Sequence, residues 1–353
     1  MILYIAVAVW PIFTYWMYAD HCNRIKREPE NFNFYIAITL LPMFLLLAFR
    51  NPSLGADTTM YLNNFNYVRH APLREVLEET RMETGYIIFV KLIGHITDSS
   101  LVYQIICVTI YYIGFFTFAK RIEKKDVFWF VYFVTTLGFF FFMFTGVRQC
   151  LAISICLFSY KYCQDRKLFR FLLCMVLAYF FHKSSILFLP VYWIAGRKVS
   201  IYSVTIYGIC VWVASNYLLT IQNFFNEQLE YNYGIEAAGG GTIFLFVMLL
   251  LTIFSVLMVY YKQEMDHQIV KQLVNINFIT LSFWFIRLQT RVAERPSYYF
   301  LVFSCALFAH GLNLLKDRKE RILLTYLIMA FSMLLFLYRL STNNASLVPY
   351  QFY

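Results

Sequence analysis

The feature that most limits what this chain can fold into is an alternation. Apolar stretches of about 20 residues, enough to cross the hydrocarbon layer of a bilayer, are separated by short basic clusters. The clusters are DHCNRIKREPEN (20–31), KRIEKKD (120–126), KYCQDRKLFR (161–170), GRK (196–198), YKQEMDHQIVK (261–271) and KDRKER (316–321). With 60% of residues hydrophobic and 14% charged, the pattern implies an all-α, polytopic integral membrane protein, because a spanning segment must satisfy its own backbone hydrogen bonds. Placing all six clusters in the cytoplasm by the positive-inside rule gives about twelve spanning helices in one transmembrane domain (1–353), with both termini outside. They fall at 1–19, 32–49, 99–119, 127–145, 147–161, 168–181, 184–195, 201–221, 242–260, 272–290, 296–315 and 322–338. The first run lacks the basic region and small-residue cleavage site of a signal peptide and is kept as a span.

Two outer-face loops follow from this map, at 50–98 and 222–241. Within the first, GYIIFVKLIGHIT (85–97) is apolar but short and carries Lys91 and His95. It fits a re-entrant or interfacial helix better than a thirteenth span. APLREVLEETRM (71–82) sets Leu73, Val76 and Leu77 on one helical face, as a surface-lying helix would. The second loop has no basic residue and a triple glycine, which permits a mobile flap over a glycan channel, though an ordinary solvated loop is the simpler reading.

Several function classes fall away on composition and motif. The formal charge of +10 sits in clusters between apolar runs, so it reports topology and not nucleic-acid binding. The eight cysteines are scattered through apolar runs without a CxxC pair, which argues against a zinc site or a disulfide framework. Nothing resembles a nucleotide-binding glycine loop, and no cytoplasmic Asp-x-Asp pair is present to hold a metal-bound nucleotide sugar. No cofactor is implied.

The outer face holds the exceptions. Nineteen of the 30 basic residues lie in the cytoplasmic clusters, leaving eleven that need another reason. GVRQC (146–150) places Arg148 and Gln149 between FFFFMFT and LAISICLF, and a charge buried among apolar spans is costly. Arg50, Asp57 and Glu83 occur in the first outer loop, His182 at the next outer turn, Arg287, Arg291, Glu294 and Arg295 after the tenth span, and Tyr350 in the tail. His182 lies between two short segments, the second interrupted by Pro190, a pattern that points to a cavity at membrane depth. A shared polar site on the outer face would account for all of them.

Each residue also has a structural reading. Asp57 can cap the helix that begins TTMY, and Glu83 can sit at a helix N-terminus for electrostatic reasons. His182 can be an interfacial histidine. Arg50 can anchor the end of a span, and Glu294 can pair with Arg291.

In order along the chain, FRNPSLGADTTMY (49–61), ETGY (83–86), GVRQCLA (146–152), FHKSSILFLP (181–190), RVAERPSYYF (291–300) and VPYQF (348–352) resemble the EpsG family of bacterial polysaccharide polymerases. This is a Wzy-like group acting in exopolysaccharide, capsule and O-antigen assembly. One departure is Ala56, where a hydroxyl-bearing residue is usual. The resemblance implies a GT-C-like membrane glycosyltransferase in the bacterial cytoplasmic membrane with its site on the outer face. It would transfer a growing glycan from undecaprenyl pyrophosphate onto a lipid-linked repeat unit without metal or nucleotide. Membrane lipid, a flippase and a chain-length regulator are the implied partners.

Such chemistry needs cations for the developing pyrophosphate charge and a base for the acceptor hydroxyl. Asp57, Glu83, His182 and Glu294 are the catalytic candidates; Arg50, Tyr61, Arg148, Gln149, Arg291, Arg295 and Tyr350 are the substrate-binding ones. An O-antigen ligase or another lipid-linked glycosyltransferase, such as one adding a single sugar, remains the main alternative, although a ligase would carry its longest outer loop late and here that loop comes early. A lipid-linked glycan flippase is a further alternative, but it would spread charge along a through-pathway and show helical repeats.

Overall fold

The computed structural model describes residues 1–199, 201–217, 220, 241–315, 318–342 and 346–353. In chain order the α-helices are α1 (Ile2–Ile25), α2 (Phe32–Ala48), α3 (Thr58–His70), α4 (Leu73–Glu79), α5 (Thr84–Ile96), α6 (Ser100–Ala119), α7 (Asp126–Thr136) and α8 (Phe139–Phe142). They continue as α9 (Val147–Gln164), α10 (Leu168–Phe181), α11 (Val191–Ile194), α12 (Ile201–Asn216), α13 (Thr242–Tyr261), α14 (Gln268–Arg287), α15 (Glu294–Asn313) and α16 (Arg318–Thr342). Among the described residues there is no strand, only an isolated antiparallel bridge between Arg50 and Phe352.

Among the described residues, five helices are long and apolar enough to cross a membrane: α1, α6, α13, α14 and the Ile322–Thr342 part of α16. With the shorter apolar helices α2, α5, α7 and α10, they make this a multi-pass membrane protein. The centre is built by α7 and α15. Every residue of α7 is buried, as is each of the sixteen from Ser297 to Leu312 in α15. A helix enclosed on all sides has no need of an amphipathic stripe, which is why DVFWFVYFVTT is apolar almost throughout.

Around this pair, α14 and α13 pack on α15, α1 packs on α7, and α9 lies between α6 and α10. The α6–α9 contact depends on small residues. A Cβ at Gly114 would lie 2.7 Å from the Ser154 Cα, so the two helices touch backbone to backbone, as membrane helices do where small residues meet. Polar side chains bridge neighbouring helices: Asn277 donates to Thr252 (2.9 Å) and Ser304 to Thr280 (2.9 Å).

Two expected segments take other forms. The span expected at 127–145 is two pieces, α7 and α8, broken at Gly138, whose φ of +94° no helix can continue. The span expected at 184–195 is a 3-10 turn, Lys183–Phe188, followed by the four-residue α11, with Pro190 between them unable to donate a backbone bond. The 85–97 segment is α5, 13 residues and so about 20 Å long, short of a bilayer's hydrocarbon thickness. In α4, Val76 is buried while Leu73 and Leu77 are exposed. The loop expected at 222–241 lies outside the described residues except for Gly241.

α5 also explains one basic residue from outside the six clusters. Lys91 donates from Nζ to the carbonyls of Val68, Arg69 and Ala71 at 3.0, 3.1 and 2.6 Å, closing the C-terminal end of α3, whose last carbonyls have no intrahelical partners.

Candidate active site

Four helix ends meet around one carboxylate. Glu83 occupies the N-cap position of α5 but makes no side-chain capping bond; its carboxylate turns to other elements. Oε1 accepts from His182 Nδ1 at 2.9 Å and from the Lys183 backbone N–H at 3.2 Å. Oε2 is bound by Arg148 from the first turn of α9. Arg148 Nε also reaches the Tyr61 hydroxyl of α3 at 3.5 Å. His182 has left the helical conformation at the end of α10 (φ −161°, ψ 114°), which lets its ring turn toward Glu83.

The electrostatics follow from burial. Glu83, His182 and Tyr61 are all buried and Arg148 is nearly so. Burial pushes the His182 pKa below its ordinary value, with the Glu83 hydrogen bond working against it. A neutral ring that donates from Nδ1 keeps an acceptor at Nε2. Burial likewise raises the Tyr61 hydroxyl, opposed by Arg148. Tyr61 is therefore a neutral partner for the guanidinium and not a base.

A cavity of about 850 Å³ adjoins this cluster. Its charged lining is Asp57, Arg287, Arg291, Glu294, Arg295 and Arg339, and its aromatic lining includes Phe142, Phe244, Trp284, Tyr298 and Tyr338. Four guanidinium groups against two carboxylates leave a cationic excess among the described residues. The connection to the Glu83 cluster runs through α15, since Gln149 donates to the Arg295 carbonyl at 2.6 Å and the Arg295 charge is felt at both His182 and Tyr61.

The carboxylates differ in what they touch. Asp57 stands at the N-cap position of α3 without a side-chain capping bond. Its carboxylate is a third exposed and 3.7 Å from Arg295. Glu294 has both oxygens engaged, one by Arg287 Nε at 2.9 Å and the other by the Tyr298 hydroxyl at 3.1 Å. Tyr298 is held in turn by stacking on Phe142, centroid to centroid 4.2 Å.

Of the residues the sequence pointed to, Asp57, Arg291, Glu294 and Arg295 line the cavity, while Tyr61, Glu83, Arg148, Gln149 and His182 form the adjoining buried cluster. Arg50 and Tyr350 do neither. Arg50 is 2% exposed, donates to the Leu47 carbonyl at 2.9 Å and lies over the Phe144 ring. Tyr350 donates to the Leu46 carbonyl at 2.9 Å and packs on Tyr4. Both belong to the seam where the C-terminal tail pairs with residues 49–51, through Asn51 N to Gln351 O and Tyr353 N to Phe49 O, each 2.9 Å. Burial behind that seam keeps them from the cavity.

Arg339 and Trp284 were not singled out from the sequence. Arg339 is one of the eleven basic residues outside the six basic clusters, and that count was its one available signal. At the other end of α15, Glu123, Asp126 and His310 bring potential metal-ligand atoms within 4.8 Å of one another. Asp126 already accepts from His310 and Asn313, each at 2.8 Å, so ordinary hydrogen bonding explains that cluster.

No curated protein and no solved structure matches the chain. The sequence profile of the EpsG family matches residues 33–352, nearly the whole length, and the chain belongs to that family.

Proposed function

We propose that the protein is a polysaccharide polymerase that joins lipid-linked oligosaccharide repeat units by glycosyl transfer. The observation that carries this is the cavity, where four arginines line the same space as Asp57, an aspartate that is a third exposed. The acceptor hydroxyl attacks the anomeric carbon of the glycan held on undecaprenyl pyrophosphate. Asp57 takes the hydroxyl proton, the anomeric C–O bond breaks, and the lipid pyrophosphate departs with the electron pair. Arg287, Arg291 and Arg295 stabilise its charge; guanidinium forks suit phosphate oxygens, and such preorganised donors supply a large share of catalysis.

Glu83, His182 and Arg148 act differently in this scheme. With both Glu83 oxygens and the Arg148 guanidinium engaged, the cluster positions α3, α5, α9 and α10 around the cavity, and Gln149 fixes the start of α15. Glu294 holds Arg287 and Tyr298 in place. The protein would work in the bacterial cytoplasmic membrane with the cavity on the outer face, in a twelve-span, GT-C-like arrangement alongside a flippase and a chain-length regulator. It would need neither metal nor nucleotide.

Deletion of the gene, with glycan chain-length profiling, tests this. Loss of the polymer ladder with single repeat units retained on their carrier, and its return on complementation, is the expected result. An unchanged ladder would refute polymerisation, and units confined to the cytoplasmic leaflet would indicate transport.

A further inference from the structure

Asp57 makes no side-chain capping bond, so the backbone that carries it sets where its carboxylate stands. That backbone is a loop bonded to itself. The Leu54 N–H donates to the Asn51 carbonyl at 3.0 Å and the Thr58 N–H to the Gly55 carbonyl at 3.1 Å. The Thr59 hydroxyl donates to the Pro52 carbonyl at 3.0 Å.

Thr58, the residue after Asp57, ties this loop to another element. It is 1% exposed, and its hydroxyl proton is shared between two carbonyl oxygens. One is that of Leu54, 2.6 Å away within the loop; the other is that of Phe144, 2.9 Å away in the turn between α8 and α9. Gly55 allows the approach. Its φ is +91°, and a Cβ there would lie 2.3 Å from the Phe144 carbonyl oxygen, so any other residue would push the loop off the turn. The turn is itself held in place. The Phe144 ring packs on Tyr4 and Phe140 with centroids 6.0 and 5.3 Å apart, and the Arg50 guanidinium carbon lies 5.4 Å from its centroid. Thr145, the next residue, lines the cavity together with Asp57.

We infer that Thr58 is a positioning residue for the proposed reaction. Its bond to Phe144 fixes Asp57 on the cavity wall near Arg295, where the acceptor hydroxyl is to lose its proton, and Gly55 supplies the clearance that the bond needs. The inference rests on Asp57 being the base. A base misplaced by about 1 Å can cost on the order of 10² in rate, and the loss falls on the chemical step and not on substrate binding.

The test is elongation by the purified full-length protein in lipid vesicles, at matched amounts of folded protein. The substrate is radiolabelled lipid-linked repeat unit extracted from the deletion strain, a label sensitive enough to resolve the residual rate of Asp57→Asn. Thr58→Val, which keeps the shape and removes the hydroxyl, should lower kcat about 10- to 100-fold with KM unchanged. Thr58→Ser, which keeps the hydroxyl, should elongate like wild type. Gly55→Ala should reproduce Thr58→Val by forcing the same separation, and it carries the test if Thr58→Val does not fold. Added to Asp57→Asn, either substitution should cost nothing further, because the base whose position it sets is gone. A Thr58→Val protein that elongates like wild type, that raises KM instead, or that loses the same factor with and without the Asp57 carboxylate would overturn the positioning role and leave the assignment of Asp57 standing. Asp57→Asn elongating like wild type would overturn both.

Discussion

Glu83 and His182 stand 99 residues apart in the chain and share a 2.9 Å hydrogen bond in the interior. Arg148, 65 residues beyond Glu83, closes on the other carboxylate oxygen. Neither Glu83 nor His182 is available to solvent, so the cluster behaves as a joint between helix ends. Cutting one member leaves the others buried without their partners.

For that reason Glu83→Ala and Arg148→Ala should each destabilise the protein by about 3–5 kcal/mol, the range for breaking a buried ion pair. The double variant should lose less than the sum, because its second substitution removes a charge already left unpaired. Denaturation of the purified protein in detergent reads this directly; additive losses would mean that the two side chains act independently.

His182 gives the joint a pH dependence. Its folded pKa is depressed by burial, whereas in the unfolded chain it titrates near 6.5. Above about pH 6.5 both states hold a neutral ring and stability is full. As pH falls below that, the unfolded state takes up the proton first and stability drops until the folded pKa is passed. The melting temperature should therefore decline on acidification, and His182→Gln should flatten that decline. A His182→Gln profile as steep as wild type would place the responsible group elsewhere.

Asp57 is set apart from the buried carboxylates by its exposure. Asp57→Asn should reduce chain elongation by roughly 10²- to 10⁴-fold, the contribution usual for a general base, while shifting the melting temperature little. A variant that elongates normally would transfer the base role to another group.

Tyr350 separates a strut from a ligand. Tyr350→Phe removes its bond to the Leu46 carbonyl and should cost about 1 kcal/mol of stability with KM for the lipid-linked substrate unchanged. A raised KM at unchanged stability would instead put Tyr350 in contact with substrate.

How much of this was legible in the sequence depended on the range of the interactions. Arg148 was conspicuous because a charge inside an apolar run is costly wherever it is found, and its neighbours 146–150 identified the helix start. The α6, α9 and α10 positions followed from basic clusters and hydrophobic length, which are local signals. Arg339 and Trp284 carry no local signal: an arginine near the end of a span resembles an interfacial anchor, and a tryptophan in an apolar helix resembles core. Their places on the cavity wall depend on Gly138 and Phe244, brought near only by tertiary packing. The split of 127–145 was hidden for a related reason. One glycine in an aromatic run does not announce a positive φ, and a helix buried on every side has the composition of a span. Arg50 and Tyr350 lie together in space, as their motifs do, but in a seam and not in the cavity.

In the proposed function this cavity joins lipid-linked repeat units. The direct measurement is reconstitution of the purified protein in lipid vesicles with the undecaprenyl-pyrophosphate-linked repeat unit as its only substrate, in the presence of EDTA, followed by gel analysis of product length. A ladder of polymers from wild type, absent with Asp57→Asn and with Arg295→Ala at matched protein amounts, is the expected result. Repeat units that stay single with wild type, or a ladder that persists in both variants, would contradict it.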